Sequence, residues 1–533
     1  MKLIFVTWWV VSGLGKWISA ASIWRTLKSS GYSINMIKMD PYLQVDAGTM
    51  SPYEHGEVFV TDDGAETDLD MGHYERFTDE SLHWDNNITT GKLYWNIITK
   101  ERRWDFLGQT VQVIPHVTNE IKNRIRNIAE KADICIIEIG GTVWDIEAAP
   151  FLEAIRQIKE DIWRENTLYM HVAPLLYLKV SGEVKTKPIQ HSIRDLRSVG
   201  IHADIVICRT EVEMSDDIKD KISRLGGIER NCVIQAIDAR SIYEVPLLFE
   251  EQNLNEILQK KLHLKVRKAK LKDWASRVEK VINPKKEITI WIAGKYAEFQ
   301  DAYMSLMESI LHAGANNSVK VNLNWIQSDD LEKEGFEKTL DKMKKEGKLD
   351  GVIIPGGFGS RWVNGKINVI QYIRENNIPF LGICLWLQSA VIEFARNVCN
   401  LEKADSTEFN KVTPHPVVDF IPDQRDVTEK WGTMRLGAYD AILEKWSLAH
   451  KLYKNTTISE RHRHRYEVNP KYHDILRENW LTISGLSPDG RLVEFVELKD
   501  HKYFIATQAH PEFKSRLDKP HPLFDGLVKA ILK

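Results

Sequence analysis

The sequence predicts two doubly wound α/β domains that meet near residue 280. Short apolar runs alternate with helical stretches from the first residues, and the same alternation restarts after a lysine-rich stretch. At 533 residues the chain is also too long for one core.

Taken in order, the expected strands of the first domain are Leu3–Val6, Ser33–Lys38, Ile134–Ile139, Thr167–His171, Ile205–Cys208 and Val233–Ala236. A helix, Ile18–Leu27, follows the first of them. From about Leu254 the chain turns helical and lysine-rich, and Asn283-Pro284-Lys285-Lys286 closes a linker expected over 266–286. A second series then begins with Glu287–Ala293, Val319–Trp325, Gly351–Ile354 and Pro379–Ile383, followed by a β-rich end that runs to His510. The expected division is therefore 1–265 and 287–533. No internal repeat or low-complexity segment interrupts it.

Composition excludes several classes. The net charge is −3, which gives no bulk attraction to nucleic acid or to an anionic membrane surface. No apolar run approaches the ~20 residues that span a bilayer. Cys135, Cys208, Cys232, Cys384 and Cys399 lack metal-like spacing and suit a reducing cytoplasm.

The first strand leads into Phe5-Val-Thr-Trp-Trp-Val-Val-Ser-Gly-Leu-Gly-Lys16-Trp17, which has the shape of a phosphate-binding loop. Such a loop uses small residues to expose backbone N–H groups and a lysine to add a point charge. Indoles at Trp8, Trp9 and Trp17 would fill that space. The 30 glycines fall below the roughly 37 expected at ~7% usage, whereas the 17 tryptophans equal the phenylalanines in number.

Two other segments carry chemistry. In Pro379-Phe-Leu-Gly-Ile-Cys384-Leu-Trp-Leu-Gln388 a strand turns sharply into a helix, the pattern that presents a thiol at a helix N-terminus. A buried structural cysteine is the commoner fate of such a residue. However, Gln508-Ala-His510-Pro-Glu512 adds a base and a carboxylate to orient it, and Pro355-Gly-Gly357-Phe-Gly359 offers backbone donors to an oxyanion.

Together these segments resemble a class I glutamine amidotransferase domain over roughly 287–533. The resemblance implies Cys384 as nucleophile, His510 as base and Glu512 as its partner. It places the oxyanion contacts at Gly357 and Leu385. It assigns glutamine binding to Gly357, Leu385, Trp386, Leu387, Gln388, Glu408 and Arg465.

The remaining motifs name the ammonia acceptor. Asp40-Pro-Tyr42, Gly48-Thr-Met-Ser-Pro52, His55 to Asp70, Gln112-Val-Ile-Pro-His116, Glu138-Ile-Gly-Gly-Thr142, Glu183-Val-Lys-Thr-Lys-Pro188 and Glu460 to Val468 resemble CTP synthases along the whole chain. The family aminates UTP through a 4-phosphorylated intermediate, with ATP as phosphoryl donor. Phosphoryl transfer is mostly positioning and charge neutralisation. The resemblance implies Mg²⁺ on Asp70 and Glu138. It implies ATP contacts from Gly13, Leu14, Gly15, Lys16, Trp17, Lys38, Asp70, Ile237, Asp238 and Ala239. It gives UTP, and CTP as inhibitor, to Ser12, Asp145, Ile146, Glu147, Lys185, Thr186, Lys187, Pro188, Ile189, Gln190 and Lys221. Trp431 to Gly437 resembles the region through which GTP activates glutamine hydrolysis. A cytoplasmic homotetramer, with filaments as an open possibility, completes the implied picture.

Set against the family pattern, Trp8, Trp9, Trp17, Trp24, Trp104, Trp144, Trp163, Trp291, Trp362, Trp386, Trp431, Trp446 and Trp480 stand where glycine is usual or common. Trp274 and Trp325 are ordinary, while Trp84 and Trp95 have no clear counterpart. Decay of a silent paralogue would scatter glycine to many residue types and erode Cys384 or His510. A gene in which UGA means glycine, translated with UGA as tryptophan, yields one residue type at glycine positions only. The expectation is the second. The rival is a catalytically silent, polymer-forming paralogue whose tryptophans are real.

Overall fold

The computed structural model describes residues 1–9, 15–294, 299–327, 336–357, 363–420 and 434–533. The chain divides into two units, Met1–Thr49 with Asp70–Ile282, and Met50–Leu69 with Asn283–Lys533.

The first unit is built on seven parallel strands: β1 (Lys2–Trp8), β2 (Ile34–Asp40), β3 (Asn87–Thr89), β4 (Ile134–Ile139), β5 (Thr167–Pro174), β6 (Ile205–Thr210) and β7 (Val233–Ile237). Their spatial order is β7-β6-β5-β1-β4-β2-β3. Parallel strands covered on both faces read as near-continuous apolar runs, and every residue of β4 is buried. That is why six of the seven were legible. The short β3, with Asn87 and Thr89 around one isoleucine, was not. The helix after β1, α1 (Lys16–Ser29), starts at Gly15, whose φ of 82° is left-handed and suits glycine. Within the expected linker the chain forms a helix, Lys272–Ile282, that belongs to this unit. Its Trp274 is buried and donates from Nε1 to the Tyr243 carbonyl at 2.8 Å.

The second unit is built on nine strands: β8 (Lys286–Gly294), β9 (Val319–Gln327), β10 (Gly351–Ile354), β11 (Phe380–Ile383), β12 (Arg435–Leu443), β13 (Thr457–His464), β14 (Thr482–Leu486), β15 (Val493–Glu497) and β16 (Phe504–Thr507). They lie in the order β9-β8-β10-β11-β16-β15-β14-β12-β13. The β9 to β16 half is parallel and the rest antiparallel. Because side chains alternate across a strand, the core splits by face. Trp291, Val352, Phe380 and Phe504 pack on one side, and Ile290, Ile353, Leu381 and Ile505 on the other. A short antiparallel hairpin, Phe59–Val60 with Glu66–Thr67, also belongs to this unit although it lies far upstream in sequence. The expected α/β fold, with a synthetase unit followed by an amidotransferase unit, is the fold observed, and the sheet of the second unit is mixed, parallel in one half and antiparallel in the other.

Candidate active site

In the second unit, β11 ends at Ile383 and Cys384 turns the chain into helix α2 (Leu385–Asn397). Cys384 has φ 55° and ψ −106°, a strained conformation for a residue with a Cβ, and its side chain is buried. The helix N-terminus leaves the Leu385 and Trp386 amides facing the turn, where the dipole favours negative charge. His510 follows β16, next to β11 in the sheet, so adjacent strands deliver thiol and imidazole to one edge. His510 Nδ1 lies 2.7 Å from Glu512 Oε1. Burial opposes charging this ring, but the Glu512 carboxylate and then the Cys384 sulfur outweigh it and raise His510 to about 10.

Gly356 is required here by contact. A Cβ at this position would stand 2.6 Å from His510 Cε1, whereas one at Gly357 would meet nothing within 4 Å among the described residues. The buried Gln388 donates from Nε2 to the Tyr466 carbonyl at 2.8 Å and to Gln508 Oε1 at 3.3 Å. Leu387 and Trp386 are buried as well, and Trp386 packs with the core face opposite the one that holds Cys384. Glu408 and Arg465 both act on the Tyr466 phenol, which burial and then Glu408 raise against the pull of Arg465.

Sequence reasoning missed what surrounds this centre. Gln508 places its Nε2 3.8 Å from Cys384 Sγ and takes a carbonyl of Glu494 with its backbone N–H at 3.0 Å. The buried Arg435 bridges Glu467 at 2.9 Å and Glu494 at 2.8 Å. Burial raises Glu467 to about 8 against the pull of Arg435. Gln508, Arg435 and Glu467 all lie inside segments singled out from the sequence, which gave these three residues no role of their own.

In the first unit, candidate groups collect at the carboxyl ends of the parallel strands, where such sheets bind ligands. Lys16 Nζ, in the first turn of α1, lies 3.3 Å from Glu138 Oε1 in β4. Lys38 contacts Asp40 in β2 and lies 3.2 Å from Asp70. Tyr74 donates to Glu138, and Asn87 donates to Asp40 at 2.7 Å. Glu138 is fully buried, and burial raises it; Asp40 is lowered because Lys38 outweighs its burial. Among the described residues no three of His, Cys, Asp and Glu converge as a metal-binding group. Asp70 and Glu138 do sense each other, and Glu138 Oε1 takes no hydrogen bond among the described residues. Two carboxylates fit a Mg²⁺ ion, which keeps several waters and draws its other ligands from phosphate.

The other candidates are more dispersed. Ser12, Gly13 and Leu14 lie outside the described residues, as do Gly359, Trp362 and Trp431. The Trp17 ring stacks on His73 with centroids 3.6 Å apart, and Lys16 lies over the Trp8 ring at 4.9 Å. Asp145 accepts from the Thr142 amide and directly precedes the turn Ile146–Ala148, which contains Glu147. Lys185 pairs with Glu183, and Gln190 Nε2 donates to Thr186 Oγ1 at 2.9 Å. Lys187 and Pro188 open the helix Lys187–Ser198, with Ile189 buried. Lys221 is exposed on the helix Asp216–Gly226. Asp238, just after β7 and between Ile237 and Ala239, pairs with Arg209.

Residues 2–264 match the family described as CTP synthase N-terminus, and residues 298–530 match glutamine amidotransferase class-I. The CTP synthase of Methanocaldococcus jannaschii is 61% identical over 100% of this chain and 98% of its own length. That of Methanococcus maripaludis is 60% identical over 100% of both chains. The chain belongs to the CTP synthase family. It is a glutamine-hydrolysing ligase that converts UTP to CTP, with ATP as a substrate. The silent-paralogue reading is not favoured. A solved glutaminase domain of Trypanosoma brucei CTPS with bound acivicin is 37% identical over 46% of this chain and 94% of its own, with a TM-score of 0.43. No helix among the described residues is long and apolar enough to cross a membrane.

Proposed function

We propose that Cys384, His510 and Glu512 release ammonia from glutamine, and that the carboxylate and lysine cluster around Glu138 activates UTP with ATP. The observation that carries the first part is the line from the strained Cys384 turn through His510 to Glu512. The Cys384 sulfur attacks the glutamine amide carbon while His510 holds the thiol proton, then gives it to the departing ammonia. Glu512 keeps the imidazole oriented, and the Gly357 and Leu385 amides receive the developing oxyanion. Water then cleaves the thioester to glutamate. Gln388, Glu408 and Arg465 hold the substrate. In the first unit Lys16 and Lys38 neutralise phosphate oxygens, and Asp70 and Glu138 would hold a Mg²⁺ ion, which would supply further positive charge against the phosphates. Uracil O4 takes the γ-phosphoryl group, and ammonia displaces it as phosphate. Activation by GTP, inhibition by CTP, a homotetramer and a cytoplasmic location complete the proposal.

Iodoacetamide titration tests the nucleophile. Burial pushes the thiols of Cys135, Cys208, Cys232 and Cys399 up, the last three to about 12, 11 and 11. Peptide mass spectrometry at neutral pH is expected to find Cys384 alkylated first, with glutamine slowing the reaction. Faster labelling of another cysteine would remove Cys384 from this role.

We further infer that the natural polypeptide carries glycine at the tryptophan positions named above. In support, Trp104, Trp163, Trp446 and Trp480 have φ of 66°, 71°, 72° and 77°, and all four are highly exposed. A left-handed backbone costs a residue with a Cβ roughly 1–2 kcal/mol and costs glycine almost nothing. Replacing any of these four tryptophans by glycine is therefore expected to raise stability by about 1 kcal/mol in denaturant unfolding. UGG codons at Trp8, Trp9, Trp144 and Trp386 would end the idea, and glycine masses in native peptides would sustain it.

A further inference from the structure

We propose that the hairpin segment Met50–Leu69 is a positioning element for the glutaminase base, acting on His510 through Asp62 and Phe59. The inference rests on the reading of His510 as base and adds residues that lie about 450 positions upstream of it.

Two contacts converge on the histidine, one on its backbone and one on its ring. Arg461, in β13, is fully buried and sits under the hairpin. Its Nε donates to Asp62 Oδ1 at 2.6 Å, its Nη1 donates to the Val60 carbonyl at 3.0 Å, and its guanidinium lies 5.3 Å from the Phe59 ring centre. The carbonyl of the same Arg461 accepts the His510 N–H at 2.7 Å. Asp62 therefore fixes the side chain of the residue whose backbone fixes His510. On the ring side, Phe59 meets Phe513 edge to face at 5.2 Å, and Phe513 stacks on the His510 imidazole at 5.3 Å and 17°. Glu512 defines one direction of the imidazole and Phe513 restrains its tilt.

The hairpin is itself anchored to this unit. Ala438 N–H donates to the Asp62 carbonyl at 2.8 Å, and Lys514, two residues beyond Glu512, lies 3.6 Å from Asp62 Oδ1. At Gly64 the backbones run so close that a Cβ would stand 2.9 Å from the Leu436 carbonyl oxygen. The glycine is needed on two counts, since its φ is 86°. A loosely attached loop would need neither feature.

A buried guanidinium that loses its carboxylate is costly and relaxes toward new partners. A shift of Arg461 moves the carbonyl that holds His510, and catalytic geometry is lost steeply with distance. Neither Asp62 nor Phe59 touches Cys384, Gln388, Glu408 or Arg465 in any contact described above, so substrate binding is expected to survive their loss.

The test uses the full-length protein with Asp62→Asn, Asp62→Glu, Phe59→Leu and His510→Ala, each assayed for CTP formation from glutamine and from ammonium. Asp62→Asn and Phe59→Leu are expected to lower the glutamine-dependent kcat about tenfold with the glutamine KM unchanged, and Asp62→Glu to recover much of the loss. Ammonium-dependent synthesis stays at the parent rate in all three and reports that the chain is folded. A glutamine kcat within twofold of the parent in both Asp62→Asn and Phe59→Leu overturns the proposal, as does a raised KM with unchanged kcat. His510→Ala separates the underlying reading. If it still hydrolyses glutamine, His510 is not the base, whatever the hairpin variants do.

Discussion

Cys384→Ala is expected to abolish CTP formation from glutamine, by at least about 10³-fold, while CTP formation from ammonium continues at the parent rate. Alanine removes the sulfur and fits the space, and Cys384 already tolerates its left-handed turn only because the surrounding sheet and helix impose it. The change therefore deletes one nucleophile without emptying a core site. The measurement is a paired assay with the two nitrogen sources on one preparation. A variant that still used glutamine, but had lost the use of ammonium, would contradict the division of labour between the two units.

Glu138→Gln is expected to give the reciprocal phenotype. Synthesis should fall at least about 10²-fold with either nitrogen source, and basal glutamine hydrolysis should be retained. Glu138 is fully buried on β4, with Lys16 3.3 Å away and Tyr74 donating to it. Glutamine keeps the shape but removes the charge that balances Lys16 and that a divalent cation would need. The readout is UTP-dependent ADP formation beside glutamate release. Retention of ADP formation would remove Glu138 from phosphoryl transfer, and loss of glutamate release would assign it a wider structural role.

The sheets were legible because a strand buried on both faces reads as a near-continuous apolar run, as in β4, where Glu138 is the one interruption, and in β1. The elbow at Cys384 was legible because a turn from strand to helix is a local event, and His510 with Glu512 because the pair is two residues apart. What escaped was set by distance along the chain. Phe59 and Val60 form a two-residue strand in an acidic stretch that shows no periodicity, and their partner Arg461 is some 400 positions away. Arg435 with Glu467 and Glu494 escaped for the same reason: three charges in three separate segments look solvated until the fold buries them. Gly356 was quoted as an oxyanion glycine, yet the contact that forbids a side chain there comes from His510.

The path of the chain has a consequence for how this protein can be divided. The chain passes between units at 49/50, 69/70 and 282/283, so its halves are not interchangeable cassettes. An amidotransferase fragment cut at residue 283 carries Arg461 but not Asp62, and Phe513 but not Phe59. Grafted to a foreign synthetase, it would need that partner to supply a matching acidic hairpin. Cleaved in place between 266 and 272, by contrast, the two pieces would stay associated, because the upstream one still holds twenty residues of its neighbour's fold. Recombination between distant relatives should thus favour exchange of whole genes over exchange of halves.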